Sequence, residues 1–220
     1  RRIAEAASTA GVFAMEARWT RFLPLMRLVS ERIEVGALGS LRGYDGHFMA
    51  ANLPDPAVSL FAPPAGGALL HRGIYPLSLA RFFLGPVTDL KAMARQGETG
   101  VDDDSVLLLT HASGAISTIR ASLRAGGVNS ATIWGERARL EIEGPIWRPG
   151  QARLIPAAPS RIVAPQPRRL EAFRESRLGQ RIAGLRAGLR RGGTLLRADF
   201  IGNGYAHEAA HLMETVAAGR

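Results

Sequence analysis

The chain has 220 residues, of which 46% are hydrophobic and 21% charged, a globular composition long enough for one large domain or for one domain with appendages. It has no cysteine, which excludes disulfides, thiolate catalysis and Cys-based zinc sites and is compatible with a cytoplasmic location. The net charge is +9, carried almost entirely by arginine with Lys91 as the only lysine, but no stacking-aromatic pattern accompanies the arginines and nucleic acid is not the expected partner. No run of about 18 apolar residues and no signal-peptide pattern occurs, so no membrane association is expected.

Residues 1–10 read as the end of an Ala-rich helix stopped by Gly11, and Val12 to Met15 as a short buried parallel strand. A helix and such a strand directly at Arg1 read as the tail of a βαβ unit whose remainder is not in the chain. EARWTRFLP, residues 16–24, is a connection. Leu25 to Val35 is an amphipathic helix, with Leu25, Leu28, Val29 and Ile33 at helical spacing and Gly36 and Gly39 at its end. Leu41 to Ala50 is a strand with Tyr44 and Phe48 on one face, and Asn52 to Pro64 is loop. Gly66 to Gly85 is helical, with a kink expected at Pro76.

The character then changes to β, with strands near 87–95, 104–110, 115–123, 128–135 and 138–143. Ala112-Ser113-Gly114 joins two of them as a hairpin, and Leu140 and Ile142 alternate with charges as on a sheet with one wet face. Pro145 to Pro167 reads as loop. Leu170 to Leu189 reads as a basic amphipathic helix with Leu170, Phe173, Leu178, Ile182, Leu185 and Leu189 along one stripe, and a last helix spans about His207 to Ala217. The order predicts an α+β fold: a large, mostly antiparallel sheet with helices on one face.

Four features have chemical potential. HEAAH, residues 207–211, has the spacing of two zinc ligands and a general base on one helix, the pattern of a zinc hydrolase. Only nine residues follow it and no further His cluster is available as a third ligand, so an ordinary helix is the simpler reading. His71 and Tyr75, four apart in GGALLHRGIYP, share a helix face, and an imidazole near neutral pKa and a tyrosine hydroxyl can each serve as proton donor or acceptor, although a core tyrosine beside a solvated histidine is the simpler reading of the spacing alone. Asp102-Asp103-Asp104 has the charge to chelate a cation, although such a run more often ends a strand in solvent. The arginines between 168 and 197 form the densest basic segment, a candidate surface for anionic lipid or nucleic acid, although a helix packed on the protein with a solvated basic face is the simpler reading. No G-x-G-x-x-G occurs, so the chain shows no dinucleotide fingerprint of its own.

Several segments together resemble the Gfo/Idh/MocA oxidoreductase family, and in particular its dihydrodiol dehydrogenase branch. These are EARWTRFLP, GGALLHRGIYPLSLA, the stretch TGVDDDSVLLLTHASGAISTIRASLRAGGVNSATIWGERARLEIEGPIW, and the closing GNGYAHEAAHLMETVAAG. The similarity covers about residues 1–155 and 200–220, in the family's order. It implies that residues 1–16 are the last helix and strand of a Rossmann dinucleotide-binding domain. Residues 17–220 are then the C-terminal α+β substrate and oligomerisation domain, with an Arg-rich helical insertion near 168–197.

The resemblance further implies that NAD or NADP binds mainly to an upstream domain, with a hydride passing between nicotinamide and a hydroxyl-bearing carbon of a sugar, polyol or cyclic diol. Tyr75 stands where the family places a His or Tyr near the reacting oxygen. His71 stands where it usually has Asp, so any polarising role needs a different hydrogen-bonding pattern. Trp19 and Arg21 are expected near the cofactor side of the cleft or in packing at the domain junction. The family's catalytic lysine would lie upstream and is not Lys91; Ser59 and Ala62 stand where the branch tends to carry charge. A homo-oligomer through the open sheet face is implied, and no metal. A non-catalytic relative that uses the sheet for binding or assembly is the alternative.

Overall fold

The computed structural model describes residues 2–157, 173, 175–182 and 192–219. Helix α1 (Arg2–Ala10) ends at Gly11 and has no buried residue. Val12 to Met15, expected as a buried strand, join no ladder, and Val12 and Phe13 are exposed, because no described strand lies beside them to satisfy their backbone or cover their side chains. A 3-10 turn (Trp19–Phe22) leads into α2 (Pro24–Glu34), whose first helical residue is proline, where its missing N–H costs nothing. Leu25, Met26 and Val29 are the buried stripe of α2.

Strand β1 (Leu41–Met49) is followed by a long loop, a π-helical turn (Leu69–Gly73) and α3 (Ile74–Leu84). Strands β2 (Val87–Gln96), β3 (Asp102–His111), β4 (Ile116–Ser122), β5 (Ala131–Gly135), β6 (Ala138–Ile142), β7 (Gln151–Pro156) and β8 (Thr194–Arg197) follow, and α4 (Tyr205–Ala217) closes the described chain. The fold is α+β, with an eight-stranded mixed sheet in the order β2-β3-β4-β1-β5-β6-β7-β8. All neighbours are antiparallel except β1 and β4, because the chain leaves β1 through α3, reaches the sheet edge at β2 and returns through β3 to lie parallel to where it started.

One face of the sheet carries the core. Tyr44 and Phe48, Leu107 and Leu109, Ile119 and Ala121, Ala131 and Ile133, Leu140 and Ile142, Ala152 and Leu196 alternate inward, and α2 and α3 pack on that side. The other face is open: Val106, Leu108, Ile116, Trp134 and Met93 stand partly or largely exposed on it.

Two readings of the last third change. Pro145 to Pro167 is not all loop: Gln151–Pro156 is β7, paired with β6 and β8, with Ala152 buried. The Arg-rich segment near 168–197 is not helical to its end, since Thr194–Arg197 is β8. Of the proposed stripe, Phe173 and Leu178 are exposed, while Leu170, Leu185 and Leu189 lie outside the described residues.

Candidate functional site

The helix that carries His71 and Tyr75 is positioned by two close approaches. Gly46, in the middle of β1, leaves room for Pro76: a Cβ at Gly46 would lie 2.6 Å from the Pro76 Cβ and 2.6 Å from the Tyr44 ring. The proline therefore seats α3 directly on the sheet. At the start of the segment Gly67 has φ 114°, in the left-handed region, and a Cβ there would collide with the Asp102 carboxylate. That carboxylate accepts the Leu69 N–H at 2.8 Å and the Ser105 hydroxyl at 2.5 Å, so Asp102 caps the turn from a remote strand. The kink expected at Pro76 is taken up just before it, where the Ile74 N–H reaches back five residues to the Leu69 carbonyl. The wider turn places Leu70, His71, Ile74, Tyr75 and Ser78 along one side.

These five residues face Glu16, Ala17, Arg18 and Thr20 across a cleft of about 260 Å³. The structure thus brings His71 and Tyr75 together on one wall. Tyr75 meets Phe48 edge to face at 5.5 Å, and its hydroxyl has no hydrogen-bond partner among the described residues. His71 Nε2 lies 3.1 Å from the Ala65 carbonyl; because a carbonyl only accepts, Nε2 carries the proton and Nδ1 of the neutral ring is left as an acceptor.

The opposite wall is held by several links. The Arg18 backbone N–H donates to Glu208 on α4 at 2.6 Å, and the Arg18 side chain pairs with Glu16 at 2.6 Å. Thr20 donates to the Trp147 carbonyl at 2.9 Å. Arg21 borders a neighbouring groove and not this cleft; its Nε donates to the Ser78 hydroxyl at 2.6 Å and its Nη2 to the Ser78 carbonyl at 3.1 Å, clamping the 3-10 turn to α3. Burial, then the like charges of Arg18 and Arg81, lower its pKa. Trp19 is buried against Tyr205, with ring centres 5.1 Å apart, and packs the junction without lining the cleft. Glu16, Arg18, Thr20 and Ser78 were not singled out from sequence; EARWTRFLP marked their neighbourhood, but the 3-10 turn that sets which residues face the cleft has no sequence signature.

The remaining features serve structure. His207 meets Phe200 at 5.7 Å, His211 meets Phe22 at 4.7 Å, and Glu208 is held by Arg18. Among the described residues no group of three His, Cys, Asp or Glu side chains is placed to hold a metal. Asp103 and Asp104 pair with Arg124 at 3.9 Å and Arg95 at 3.1 Å and Asp102 caps the π-helical turn, so the acid run opens β3 and, with Asp103 buried, is not a solvated turn. His111, 1% exposed, bridges the Gly85 carbonyl at 3.0 Å and the Ser117 hydroxyl at 2.7 Å.

Residues 26–141 match the model of the GFO/IDH/MocA C-terminal domain. The trans-1,2-dihydrobenzene-1,2-diol dehydrogenase of Bos taurus is 33% identical over 149 residues, 67% of this chain and 44% of the bovine protein. The dTDP-3,4-didehydro-2,6-dideoxy-alpha-D-glucose 3-reductase of Saccharopolyspora spinosa is 30% identical over 130 residues, covering 58% of this chain and 39% of that protein. The chain thus spans less than half the length of the curated relatives it matches. A 3-ketoreductase from Actinomadura kijaniata, solved with NADP and TDP-benzene, shares the fold with a TM-score of 0.71 at 19% identity, over 100% of this chain and 59% of that one. An NAD binding oxidoreductase from Klebsiella pneumoniae gives 0.61 at 27% identity, over 70% and 46%. No described helix is long and apolar enough to cross a membrane. On the family match and the relatives together, the chain belongs to the Gfo/Idh/MocA family of NAD(P)-dependent oxidoreductases, of which it carries the C-terminal domain.

Proposed function

We propose that the chain is the substrate-side part of a cytoplasmic dehydrogenase that moves a hydride between NAD or NADP and a hydroxyl-bearing carbon of a sugar, polyol or cyclic diol. The observation that carries this reading is the Tyr75 ring on the wall of the cleft, its hydroxyl unengaged, four residues after a histidine that also faces the cleft. The names of the bovine and Saccharopolyspora relatives supply the substrate class. The cleft suits the reactive end of the cofactor: Leu70 and Ile74 give an apolar surface for a ring, and Glu16 to Arg18 a polar one for a carboxamide. With no glycine-rich phosphate turn in the sequence, residues outside this chain would hold the pyrophosphate. When bound, the nicotinamide supplies the hydride chemistry.

Tyr75 then holds the proton of the reacting hydroxyl, and a lysine outside this chain assists it. His71 cannot act as the Asp of its relatives would, because its Nε2–H is committed to Ala65; it offers the substrate an acceptor at Nδ1. Trp19 and Arg21 support the cleft from the junction instead of touching its contents. Residues 1–16 belong to the dinucleotide-binding half, in keeping with the exposed α1, and 17–220 form the substrate domain. The open sheet face, with Met93, Val106, Leu108, Ile116 and Trp134 exposed, is where a second copy would pack. The test is NAD(P)-linked turnover of the full-length protein on a panel of sugars and cyclic diols: activity that collapses in Tyr75→Phe supports the reading, and absence of turnover on every member leaves the alternative of a non-catalytic relative.

A further inference from the structure

The groove beside the cleft is the larger of the two spaces, about 680 Å³ against 260 Å³. Glu16, Arg18, Ile74 and Ser78 line both, so cleft and groove run into one another along α3. Helical spacing sets which residues of α3 face the groove: Ile74, Ser78 and Arg81 stand four and three residues apart, on one side. Leu77 and, from β2, Val87 and Leu90 add an apolar floor.

Three guanidinium groups line this groove, those of Arg18, Arg21 and Arg81, and its one carboxylate, Glu16, is taken by Arg18. Two bonds to Ser78 fix the plane of Arg21 and leave its Nη1 without an acceptor among the described residues. Arg81 is exposed and has no ion pair or hydrogen bond among them. Burial, and then the charges of Arg18 and Arg81, lower the Arg21 pKa. Like charges held together repel, and a bound anion offsets that cost. Two uncompensated guanidinium groups match a phosphate monoester, which carries about −1.5 to −2 near pH 7 and offers oxygens to their N–H edges. A nucleotide would need a ring on which to stack its base, and no aromatic side chain lines the groove among the described residues. We infer that Arg81 and Arg21 seat a phosphate monoester of the substrate. The substrate is then a phosphorylated sugar or polyol, its phosphate in the groove and its reacting hydroxyl in the cleft at Tyr75, and not a neutral sugar, a neutral diol or a sugar nucleotide. This rests on the dehydrogenase reading above for the reaction, but not for the binding.

The full-length protein separates the two. It is first saturated with NADPH or NADH, so that the phosphates of the dinucleotide are already placed. Calorimetric titration with glucose 6-phosphate, ribose 5-phosphate and sorbitol 6-phosphate, each against its unphosphorylated parent, then reads binding, with UDP-glucose as the nucleotide arm. Turnover of the same pairs with NAD or NADP reads specificity. Wild type should bind at least one phosphate ester about tenfold or more better than its parent. Arg81→Gln should weaken that binding about tenfold and collapse the ester-to-parent ratio, and Arg81→Lys, which keeps the charge without the fork, should lie between. Folding of each variant is read from its melting temperature, and Arg81→Lys decides the case should Arg81→Gln not fold. Binding of an ester that depends on Arg81, without any turnover, keeps this inference and overturns the dehydrogenase reading. Turnover of the parents with no binding of any ester, an ester-to-parent ratio that both variants leave unchanged, or UDP-glucose binding more tightly than every monoester overturns the inference. Neither binding nor turnover overturns both.

Discussion

The turn before α3 and the closing helix α4 carry the same short pattern, two polar rings four residues apart: His71 and Tyr75 in one, His207 and His211 in the other. Both put their pair on one side of the backbone, as the spacing requires. At α4 the side is met by Phe200 and Phe22, and the glutamate between the histidines is engaged by the Arg18 backbone. At α3 it looks across a cleft to a wall that leaves the Tyr75 hydroxyl free. A motif fixes only which groups stand together; what stands opposite decides whether they do chemistry or packing, and at both helices part of that comes from the segment Glu16 to Phe22, far away in sequence.

The contrast can be broken most sharply at Tyr75. Tyr75→Phe should lower kcat of the full-length protein by a hundredfold or more, the usual range for loss of a proton-transfer group, with a far smaller change in KM; steady-state kinetics on any accepted substrate decides it, and undiminished turnover removes Tyr75 from the mechanism. Next comes the seat of α3. Gly46→Ala forces a methyl against Pro76 and should cost about 1–3 kcal/mol, read as a lower urea midpoint with an unchanged slope. On the α4 side, Glu208→Ala removes the acceptor of the Arg18 N–H and should cost about 1–2 kcal/mol. Last, His211→Ala should cost about 1 kcal/mol or less through lost contact with Phe22, and zinc analysis of the wild-type protein should find no stoichiometric metal; a stoichiometric ion lost in this variant would erase the distinction between the two helices.

Tyr44 offers a smaller test beneath α3. Its hydroxyl is fully buried without a partner, and burial, with the charge of Asp45 adding, holds its pKa well above the ordinary tyrosine value. Below about pH 10 both folded and unfolded chains keep the proton and no stability is at stake. Above it only the unfolded chain ionises, so stability falls as pH rises. Tyr44→Phe should reduce that alkaline loss and change neutral-pH stability by less than about 1 kcal/mol, since it removes an unsatisfied group along with nothing it bonds; thermal melts at pH 7 and pH 11 check both.

Much of this arrangement was legible in the residues. Alternation in β3 to β6 and helical spacing in α2 are local patterns, and a sheet wet on one side writes them plainly: Arg139 to Glu143 reads in order as it folds. β7 and β8 were not legible, because QARLIP sits among prolines and TLLR in a basic stretch, and each becomes a strand only through its neighbour. At the site, the spacing of His71 and Tyr75 puts them on one wall, while the resemblance to the family is what singled them out. Arg18, Thr20 and Ser78 do not, since their placement depends on a 3-10 turn and a π turn that no residue pattern announces.

The bond from Arg18 to Glu208 spans 190 residues of sequence. A chain emerging from the ribosome can pair β1 to β6 and set the Thr20 and Arg21 links while its far end is still being made, but the Arg18 link waits until α4 has left the exit tunnel. The last of the wall's links is therefore a late event of synthesis. A product that ends before Glu208 would retain all eight described strands and lack only this clasp, so the sheet is complete before the wall is fully tied.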